Sequence, residues 1–467
     1  MKRQLNLLWM LIPLFLICCK QEPKSKDIKE VEPQKFTGAK GEVKLMTLDP
    51  GHFHASLILK TMYDQMNPEV HIFAPDGDDL EGHLARVEGF NSREENPTSW
   101  DLNTYRGDDF FEKMIAEKPG NVMNVSGNNS KKTEFILKTL EAGVNVLADK
   151  PMAIDAEGFQ QLEKAFQVAE DKGVLLYDIM TERYEITTML QRALSQIPSV
   201  FGELLEGSPE EPAITKESVH HFSKLVAGKP LTRPAWFFDT AQQGEGIVDV
   251  NTHLVDLIQW EAFPGQVLSK DDVELVSARR WTTDLTPEMF KSVTHLDTYP
   301  AYLQKDVDGE LLKVHSNGEI IYKLKGVHAK ASVIWNFKAP EGAKDTHYSI
   351  MRGSKCDLII EQGAKEAYKP TLYLASKDNQ LTTEDLQVAI DELAKKFPGL
   401  GLEKLEDKLW KVAIPEQYKV GHEAHFGQVT QKYLQFLKAG KLPDWEVPNM
   451  ITKYYTTTAA LQLAKQQ

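Results

Sequence analysis

From residue 42 onward, short apolar runs alternate with segments in which apolar residues recur at helical spacing, the first of them over 54–66. Two of the helical segments end just before a glycine, Gly143 and Gly173, which favours helix termination. The apolar runs, typical of buried strands, are VKLMTL, EVHIFAP, NVMNVS, VNVLA and VLLYDIM. Strands that alternate with helices predict an α/β fold with a parallel sheet and helices on both faces.

The second half of the chain has a different pattern. After one more helix, strands such as DVELVSARRWTT and DTHYSIMRGSKCDLIIEQG dominate, and HAKASVIWNF alternates apolar with polar residues. Such alternation is typical of an antiparallel sheet with one face covered by helices. The pattern therefore predicts two domains, over residues 42–178 and 179–467.

The first 41 residues differ from both domains. A basic start precedes an apolar core, Leu5–Ile17, which is too short to span a bilayer comfortably and is followed by two cysteines. The segment resembles a bacterial lipoprotein signal peptide over 1–19 with Cys19 as the lipidated residue; an uncleaved membrane anchor is the alternative. Residues 20–41 are charged and predict a flexible tether. Both interpretations predict an exported protein anchored to a bacterial membrane, in the periplasm or at the cell surface.

Composition excludes several classes of function. The formal net charge of −14 would repel a phosphate backbone, so nucleic acid is not an expected partner. Only one of the three cysteines, Cys356, lies in the part of the chain with strand and helix patterns. A disulfide framework and a cysteine-rich zinc site are therefore excluded.

A lysine directly follows the strand VNVLA. The segment reads LADKPMA and contains Asp149 and Lys150. Ligand sites of open α/β sheets lie at the carboxyl ends of the parallel strands. A lysine there can stabilise a developing alkoxide or polarise a carbonyl group, whereas the plain alternative is a solvated loop lysine.

A histidine flanked by carboxylates lies in GEGIVDVNTHLVDLIQW. Asp249, His253 and Asp256 are spaced at i, i+4 and i+7, which puts them on one face of a helix. A carboxylate one turn from a histidine can orient the imidazole and raise its basicity. The alternative is a structural His–Asp pair on a buried helix.

The loop after the first strand, LDPGHFHAS, keeps only Gly51 of the glycines in the dinucleotide-binding fingerprint. A helix N-terminus at this place can still hold a phosphate group. His52 and His54 are unusual here. They leave open a metal-dependent hydrolase, because two histidines after a strand can bind a metal ion.

Segments along the chain resemble, in the same order, those of the oxidoreductase family typified by glucose–fructose oxidoreductase and inositol dehydrogenase. EAGVNVLADKPMA resembles the family's EAGKHVLCEKPLA, and GEGIVDVNTHLVDLIQW resembles its GGGxLxDxGxHxxDLxxW helix. Further matching segments are TERY at 181–184, RPAWFFD at 233–239, RGSKCDLIIEQG and FLKAGKLPDWEV. The resemblance runs from about residue 42 to the end. It implies a Rossmann-like domain followed by an α/β domain built on an open antiparallel sheet.

The resemblance also implies an enzyme that uses tightly bound NAD or NADP on a sugar or cyclitol. His253 would take the proton of a hydroxyl group, Lys150 would stabilise the oxyanion, and Asp249 would hold both. The residues implied for cofactor binding are Gly51, His52, Asp76, Ser126, Asn128, Asp149 and Lys150. Those implied for substrate binding are Arg183, Tyr184, Trp236 and Asp256. No metal ion is implied, and a homo-oligomer is compatible with the resemblance.

The chain departs from the family pattern at several places. Asp49 and His54 occupy positions where the family has glycines. Residues 78–105 are longer than the usual connection and predict a lid or pocket wall, and 370–420 resembles an insertion. A cofactor-free carbohydrate-binding or scaffold lipoprotein is therefore the second hypothesis.

Because free nicotinamide cofactor is scarce outside the cytoplasm, an exported enzyme would have to recycle its cofactor, as in glycoside cleavage or sugar–sugar redox chemistry.

One geometric expectation separates these hypotheses. Proton and hydride transfer demand near-contact geometry, so Lys150, Asp249 and His253 should converge in one cleft. Asn128 and the loop around Gly51 should line its other end. A solvated lysine and a structural His–Asp pair predict no such convergence.

Overall fold

The apolar runs of the first half form a six-stranded parallel sheet in the computed structural model, which describes residues 35–226, 229–377 and 381–466. The strands are β1 (Leu45–Leu48), β2 (Glu69–Ala74), β3 (Asp101–Arg106), β4 (Val122–Val125), β5 (Asn145–Asp149) and β6 (Leu176–Ile179). Their order, β3-β2-β1-β4-β5-β6, is that of a doubly wound fold. The predicted strands correspond to all of these except β3, which is polar and lies at the edge of the sheet.

Five helices connect these strands. They are α1 (His54–Leu57), α2 (Asp78–Ser92), α3 (Phe110–Glu117), α4 (Lys132–Glu141) and α5 (Ala156–Lys172). Helix α5 ends at Gly173, whose φ of 63° is the left-handed conformation that glycine tolerates best. The helix expected over 54–66 is wrong in length, because α1 has one turn and continues only as the 3-10 helix Ile58–Lys60. The segment expected to form a lid or pocket wall, 78–105, supplies α2 and the edge strand β3, and the first turns of α2 form part of a cavity wall.

The second half is built on a larger sheet. Its strands are β7 (Ile214–Ser223), β8 (Leu225–Val226), β9 (Lys229–Pro230), β10 (Val273–Leu285), β11 (Val307–Asp308), β12 (Leu311–Leu324), β13 (Val327–Lys338), β14 (Thr346–Arg352), β15 (Cys356–Gln362), β16 (Thr371–Ser376), β17 (Gly401–Glu406) and β18 (Leu409–Ala413). In the described residues the sheet follows the order β10-β12-β13-β7-β14-β15-β16-β18-β17, with β11 beside β12, while β8 and β9 form a separate pair. The α/β class and the Rossmann-like first sheet are confirmed. The second sheet is mixed, because β7 and β13 are parallel.

In the described part of the second half, seven helices accompany this sheet. They are α6 (Ile186–Ser195), α7 (Thr240–Gln243), α8 (Asn251–Ala262), α9 (Pro287–Thr294), α10 (Thr383–Ala394), α11 (His422–Ala439) and α12 (Glu446–Lys465). Helix α11 returns to the first half, where Phe426 and Tyr433 join the core of the parallel sheet. Among the residues that the structure describes, no helix combines the length and the apolar character that a membrane span needs.

The predicted signal peptide over 1–19, with Cys19, lies outside the described residues, as does the tether up to residue 34. The last part of the predicted tether is folded. Phe36 is buried in the core of the parallel sheet. The carboxylate of Glu42 accepts backbone N–H groups of Thr37, Gly38 and Ala39, which fixes the turn that leads into the first domain.

Candidate active site

Lys150 and Asp249, 99 residues apart in the chain, form an ion pair at the carboxyl end of β5. Lys150 Nζ lies 2.5 Å from Asp249 Oδ1, and the two side chains are only 11% and 8% exposed. Lys150 directly follows β5, and Asp249 lies just before α8. The parallel sheet and the second half of the chain therefore both contribute charge to one cleft.

A tightly packed loop holds Asp249 in place. A Cβ atom on Gly246 would lie 2.0 Å from the backbone oxygen of Ser316, so only glycine allows the loop to approach β12 this closely. Asp249 Oδ2 accepts a hydrogen bond from Gln243 Nε2 at 3.2 Å. Burial acts to raise the pKa of Asp249, but Lys150 and Gln243 more than offset it and the pKa lies below its usual value. Asp249 is therefore held as an anion.

His253 lies one helical turn after Asp249, in the first turn of α8. Burial, followed by the charge of Lys150, lowers the pKa of His253 to about 4, so the imidazole is neutral near pH 7. Its Nδ1 is buried and has no hydrogen-bond partner among the described residues. The expectation that Asp249 holds both neighbours is corrected, because its oxygens bind Lys150 and Gln243 and leave His253 free.

His253 also lines a cavity of about 160 Å³, whose wall contains apolar side chains such as Leu254 and Leu257 besides the polar side chains after which we call it the polar cavity. A second cavity of about 550 Å³ has several lining residues in common with it, Glu182, His220 and Asp345 among them. Imidazole and carboxylate groups that donate and accept hydrogen bonds face this space, as a ligand rich in hydroxyl groups requires. The polar residues around the smaller cavity include Glu182, His220, His253, Asp345, His347 and Gln362.

Sequence reasoning missed most of the polar residues in this cavity. Burial acts to raise the pKa of Glu182, but the imidazoles of His422, His253 and His425 more than offset it and hold the pKa far below its usual range. His422 and His425 are three residues apart on α11, a spacing that puts both on one helical face and was visible in HEAHF. His220 and His347 lie on neighbouring strands, and nothing in the sequence indicated that pairing.

A cavity of about 510 Å³ lies at the carboxyl ends of β1 and β2. Gly51 and Asp76 line it, as the cofactor prediction requires. Asp76 Oδ1 accepts a hydrogen bond from Arg106 Nη1 at 2.8 Å. The loop after β4 packs directly on this region, since a Cβ atom on Gly127 would lie 2.1 Å from the backbone oxygen of Asp49.

The charges in this cavity bear on whether a dinucleotide fits it. Arg86 lines the cavity and supplies positive charge of the kind that a diphosphate requires. Arg233 lines it too, but its guanidinium donates to the backbone oxygens of Phe222 and His221. Asp49 and Asp79 also line it. Burial, followed by the Asp79 carboxylate, raises the pKa of Asp49 to about 6, while Lys132 and Lys131 act in the opposite direction. The cavity therefore fits a dinucleotide best when these carboxylates are protonated.

Ser126 and Asn128 follow β4 at the boundary between the two halves. Ser126 Oγ is buried with no hydrogen-bond partner in the described part of the chain, so a polar group of a ligand would satisfy it. Asn128 Nδ2 donates to Gln242 Oε1 at 2.6 Å, and Asn129 Nδ2 donates to the backbone oxygen of Gln243 at 2.7 Å. Asn128 thus joins the halves of the chain beside the cleft.

Two histidines fill the space between the first loop and β5. His54 Nδ1 lies 2.9 Å from Asp149 Oδ2, and His52 Nδ1 lies 3.9 Å from the same oxygen. Lys132 Nζ donates to the backbone oxygen of Asp149 at 3.1 Å. Burial lowers the pKa of Lys132, a residue that sequence reasoning missed, to about 8. A buried lysine at the start of α4 gives no sequence signal of its own.

The structure corrects two of the predicted substrate contacts, Arg183 and Asp256. Arg183 Nε and Nη2 donate to the two oxygens of Asp256 at 2.6 and 2.7 Å, and Arg183 Nη1 donates to Glu446 at 2.6 Å. Lys453 Nζ donates to Asp256 Oδ1 at 2.8 Å and to Asp178 Oδ2 at 2.6 Å. The side chains of Arg183 and Asp256 are both fully engaged in a buried ion network and do not face a substrate. The network joins β6 to α8 and α12, so its role is structural.

The other two predicted substrate contacts also lie away from the polar cavity. Trp236 Nε1 donates to Asp79 Oδ2 at 2.8 Å, and a Cβ atom on Gly51 would lie 3.2 Å from the Trp236 ring. Trp236 therefore covers the loop on the cofactor side. Tyr184 packs against the core of the parallel sheet. Tyr184 lies in the 3-10 helix Thr181–Tyr184, and the residue of that helix that lines the polar cavity is Glu182.

Comparison with known proteins identifies the relatives of this arrangement. The family described as "Putative oxidoreductase C terminal domain" matches residues 190–465. A protein of Parabacteroides merdae, described as a putative oxidoreductase, is 59% identical, with a TM-score of 0.91 over 93% of this chain and 100% of its own. No curated protein sequence matches the chain.

Two more distant structures share the fold. A 3-ketoreductase of Actinomadura kijaniata, in complex with NADP and TDP-benzene, is 13% identical with a TM-score of 0.56, over 91% of this chain and 97% of its own. A levoglucosan dehydrogenase in complex with NADH and L-sorbose is 12% identical with a TM-score of 0.58, over the same two shares. At such low identity the likeness extends to the fold alone.

Proposed function

The chain belongs to the oxidoreductase family described as "Putative oxidoreductase C terminal domain", and from that premise we propose that it is an enzyme of the glucose–fructose oxidoreductase and inositol dehydrogenase type, which oxidises or reduces a sugar or cyclitol with NAD or NADP. One observation carries the proposal. Lys150 and Asp249 form an ion pair at the carboxyl end of β5, and the charge of Lys150 acts on the neutral imidazole of His253, which lines the polar cavity. The carboxyl end is the end of a parallel sheet at which cofactors and substrates bind.

The cofactor would be held by residues around the cavity at β1 and β2. Gly51 and Asp76 line that cavity, with Arg86 for the diphosphate, and Ser126 supplies an unpartnered hydroxyl after β4. The fold neighbours that bind NADP and NADH support this assignment. When bound, the nicotinamide supplies the hydride acceptor or donor.

Three side chains would carry the proton chemistry. In oxidation, the imidazole of His253 accepts the hydroxyl proton, because its low pKa leaves the ring neutral near pH 7. Lys150 Nζ donates a hydrogen bond to the same oxygen as it becomes a carbonyl, and so stabilises the developing negative charge. Asp249 holds the Lys150 ammonium in place through their contact of 2.5 Å.

The substrate class follows from the polar cavity. Glu182, His220 and Asp345 offer charged or neutral hydrogen-bonding groups on several sides of a small ligand. Such a lining suits the ring hydroxyls of a sugar or cyclitol, because each hydroxyl both donates and accepts. The levoglucosan dehydrogenase, whose structure contains L-sorbose, supports the same class.

We further propose that the protein is exported as a lipoprotein through Cys19. An exported enzyme has no pool of free cofactor on which to draw. Tight binding and return of the hydride within one catalytic cycle would meet that constraint. The reaction would then be net non-redox glycoside cleavage, or oxidation of one sugar coupled to reduction of another.

Cofactor binding should depend on pH through Asp49. Its pKa of about 6 reflects burial and Asp79, so an anionic diphosphate in this cavity will bind best when Asp49 carries a proton. Affinity for NAD(H) or NADP(H) should be highest below pH 6 and fall, by up to about tenfold per pH unit, as pH rises through 6. Isothermal titration calorimetry at several pH values measures this.

Asp49→Asn is the matched variant for that measurement. Asp49 has a φ of 45°, a left-handed conformation that asparagine tolerates as well as aspartate does. The variant should bind the cofactor more tightly at neutral pH and lose most of the pH dependence. An unchanged pH profile in Asp49→Asn would show that this carboxylate does not face the cofactor.

A further inference from the structure

We propose that His52, His54 and Asp149 form a binding site for one divalent transition-metal ion, such as Zn²⁺. The site lies at the bottom of the cleft, between the loop after β1 and the end of β5. It requires neither the cofactor nor a sugar, so it stands apart from the proposed function. Within the described ranges, this is the group of histidine, cysteine and carboxylate side chains whose geometry could hold a metal ion.

The distances between the ligand atoms suit a small ion. One ligand atom from each of the three residues lies within 4.8 Å of the others. The nitrogens His54 Nδ1 and His52 Nδ1 lie 2.9 and 3.9 Å from Asp149 Oδ2. Bonds of about 2.0–2.2 Å in a tetrahedral site place neighbouring ligand atoms roughly 3.4 Å apart. The two observed separations lie on either side of that value, so small side-chain rotations complete the site.

His52 carries its lone pair on Nδ1, because this ring nitrogen accepts a hydrogen bond of 3.3 Å from the backbone N–H of His54. The same nitrogen lies 3.9 Å from Asp149 Oδ2. Metal binding at Nδ1 would replace the long hydrogen bond, so the His52 ring must turn away from the His54 N–H and toward Asp149.

The ligands are held rigidly. Asp149 is the last residue of β5, and Lys132 binds its backbone oxygen. His54 is the first residue of α1, and its ring packs 4.6 Å from the ring of Phe426. Partners of this kind orient ligands and raise metal affinity. The positive charges of Lys132 and Lys150 are balanced by Asp149 and by Asp249, which contacts Lys150.

The chemistry of the ligands selects the type of ion. Two imidazoles and one carboxylate suit Zn²⁺, Co²⁺ and related ions, whereas Ca²⁺ and Mg²⁺ prefer oxygen ligands. Because Asp149 directly precedes Lys150, an ion at this place lies at the base of the cleft that contains the Lys150–Asp249 pair. Three protein ligands leave a fourth position for water or a ligand oxygen.

The test is titration of the chelator-treated full chain with Co²⁺ and Zn²⁺, with no nucleotide or sugar present. We expect one equivalent of Co²⁺ to bind, with visible d–d absorption typical of four- or five-fold coordination, and Zn²⁺ to displace it. His54→Ala and Asp149→Asn should each weaken Co²⁺ binding by at least about 100-fold. His52→Asn changes a more exposed side chain, and should weaken binding in a protein that melts like the wild type.

His71→Ala is the control, because its Nε2 lies 3.5 Å from a surface carboxylate, Glu69, far along β2 from the cleft. That variant should bind Co²⁺ like the wild type. The proposal is overturned if the wild type takes up no stoichiometric Co²⁺ or Zn²⁺. It is equally overturned if folded His52→Asn binds Co²⁺ as tightly as the wild type, with the same spectrum. Neither outcome bears on whether NAD(P) binds.

Discussion

Replacing Lys150 by methionine should lower kcat by about 100- to 1,000-fold on whichever sugar the enzyme turns over, with a small change in KM. The ammonium of Lys150 is held by Asp249 at 2.5 Å, ready to stabilise negative charge that develops only during reaction. An interaction made only in the transition state affects kcat and leaves substrate affinity nearly intact. Steady-state kinetics with saturating cofactor measures both constants.

The pH profile distinguishes this role from a structural one. The charge of Lys150 helps to lower the pKa of Asp249 and of His253, so its loss should move the profile of the residual activity toward higher pH. Lys164→Met is the matched control, since that lysine is 63% exposed on α5. The assignment fails if Lys150→Met retains more than about a tenth of wild-type kcat, or if the control variant is equally impaired.

The second large effect concerns stability. Lys216 of β7 and Glu261 of α8 are both completely buried, and Lys216 Nζ lies 2.7 Å from the carboxylate. Glu261→Gln leaves the Lys216 ammonium buried without a counter-ion. We expect this variant to lose about 3–5 kcal/mol of unfolding free energy, because an uncompensated buried charge costs that much. Urea unfolding followed by circular dichroism measures it.

The double variant Lys216→Met, Glu261→Leu is the control for this stability measurement. With both charges replaced by apolar groups of similar size, stability should return to within about 1 kcal/mol of the wild type or exceed it. Gln191, which accepts from Lys216 at 2.9 Å, keeps its contact with Ser349 Oγ at 2.8 Å. If Glu261→Gln is as stable as the wild type, or the double variant is no better than the single one, the account of this pair is wrong.

This ion pair also matters for the site. It joins α8, which carries His253, to β7, whose His220 lines the same cavity. Helix α8 is buried along almost its whole length, so its position depends on such internal contacts. Loss of the pair should therefore reduce activity along with stability.

The sequence predicted the parallel sheet because buried strands and amphipathic helices have characteristic periods. Strands without such a pattern of apolar residues were not predicted. β3 is a polar edge strand, and its backbone pairing with β2 leaves no apolar signature. Similarly, β16 to β18 extend the second sheet in a segment that resembled an insertion.

The contact of Lys150 with Asp249 was predicted from the family resemblance, in which the residue directly after a parallel strand meets the start of the helix that matches the family pattern. The prediction that Asp256 binds the substrate was wrong for a physical reason. Helix α8 is buried on all sides, so sharing a face with His253 did not direct Asp256 to the cleft. Its partner Lys453 is 197 residues away, beyond what local spacing can indicate. The packing of α11 that brings His422 near Glu182 could not be predicted for the same reason, because the two residues are far apart in the sequence.

Hydride transfer within the purified protein is the sharpest test of whether the chain is an NAD(P)-dependent oxidoreductase. The protein would be loaded with NAD⁺ or NADP⁺, passed through a gel-filtration column, and mixed with a panel of hexoses, glycosides and inositols while nicotinamide fluorescence is recorded. We predict that the cofactor stays bound and that at least one sugar or cyclitol reduces it in a single turnover, which Lys150→Met slows. Absence of binding at millimolar NAD(H) and NADP(H) would contradict the account and leave a protein that kept this fold without its cofactor.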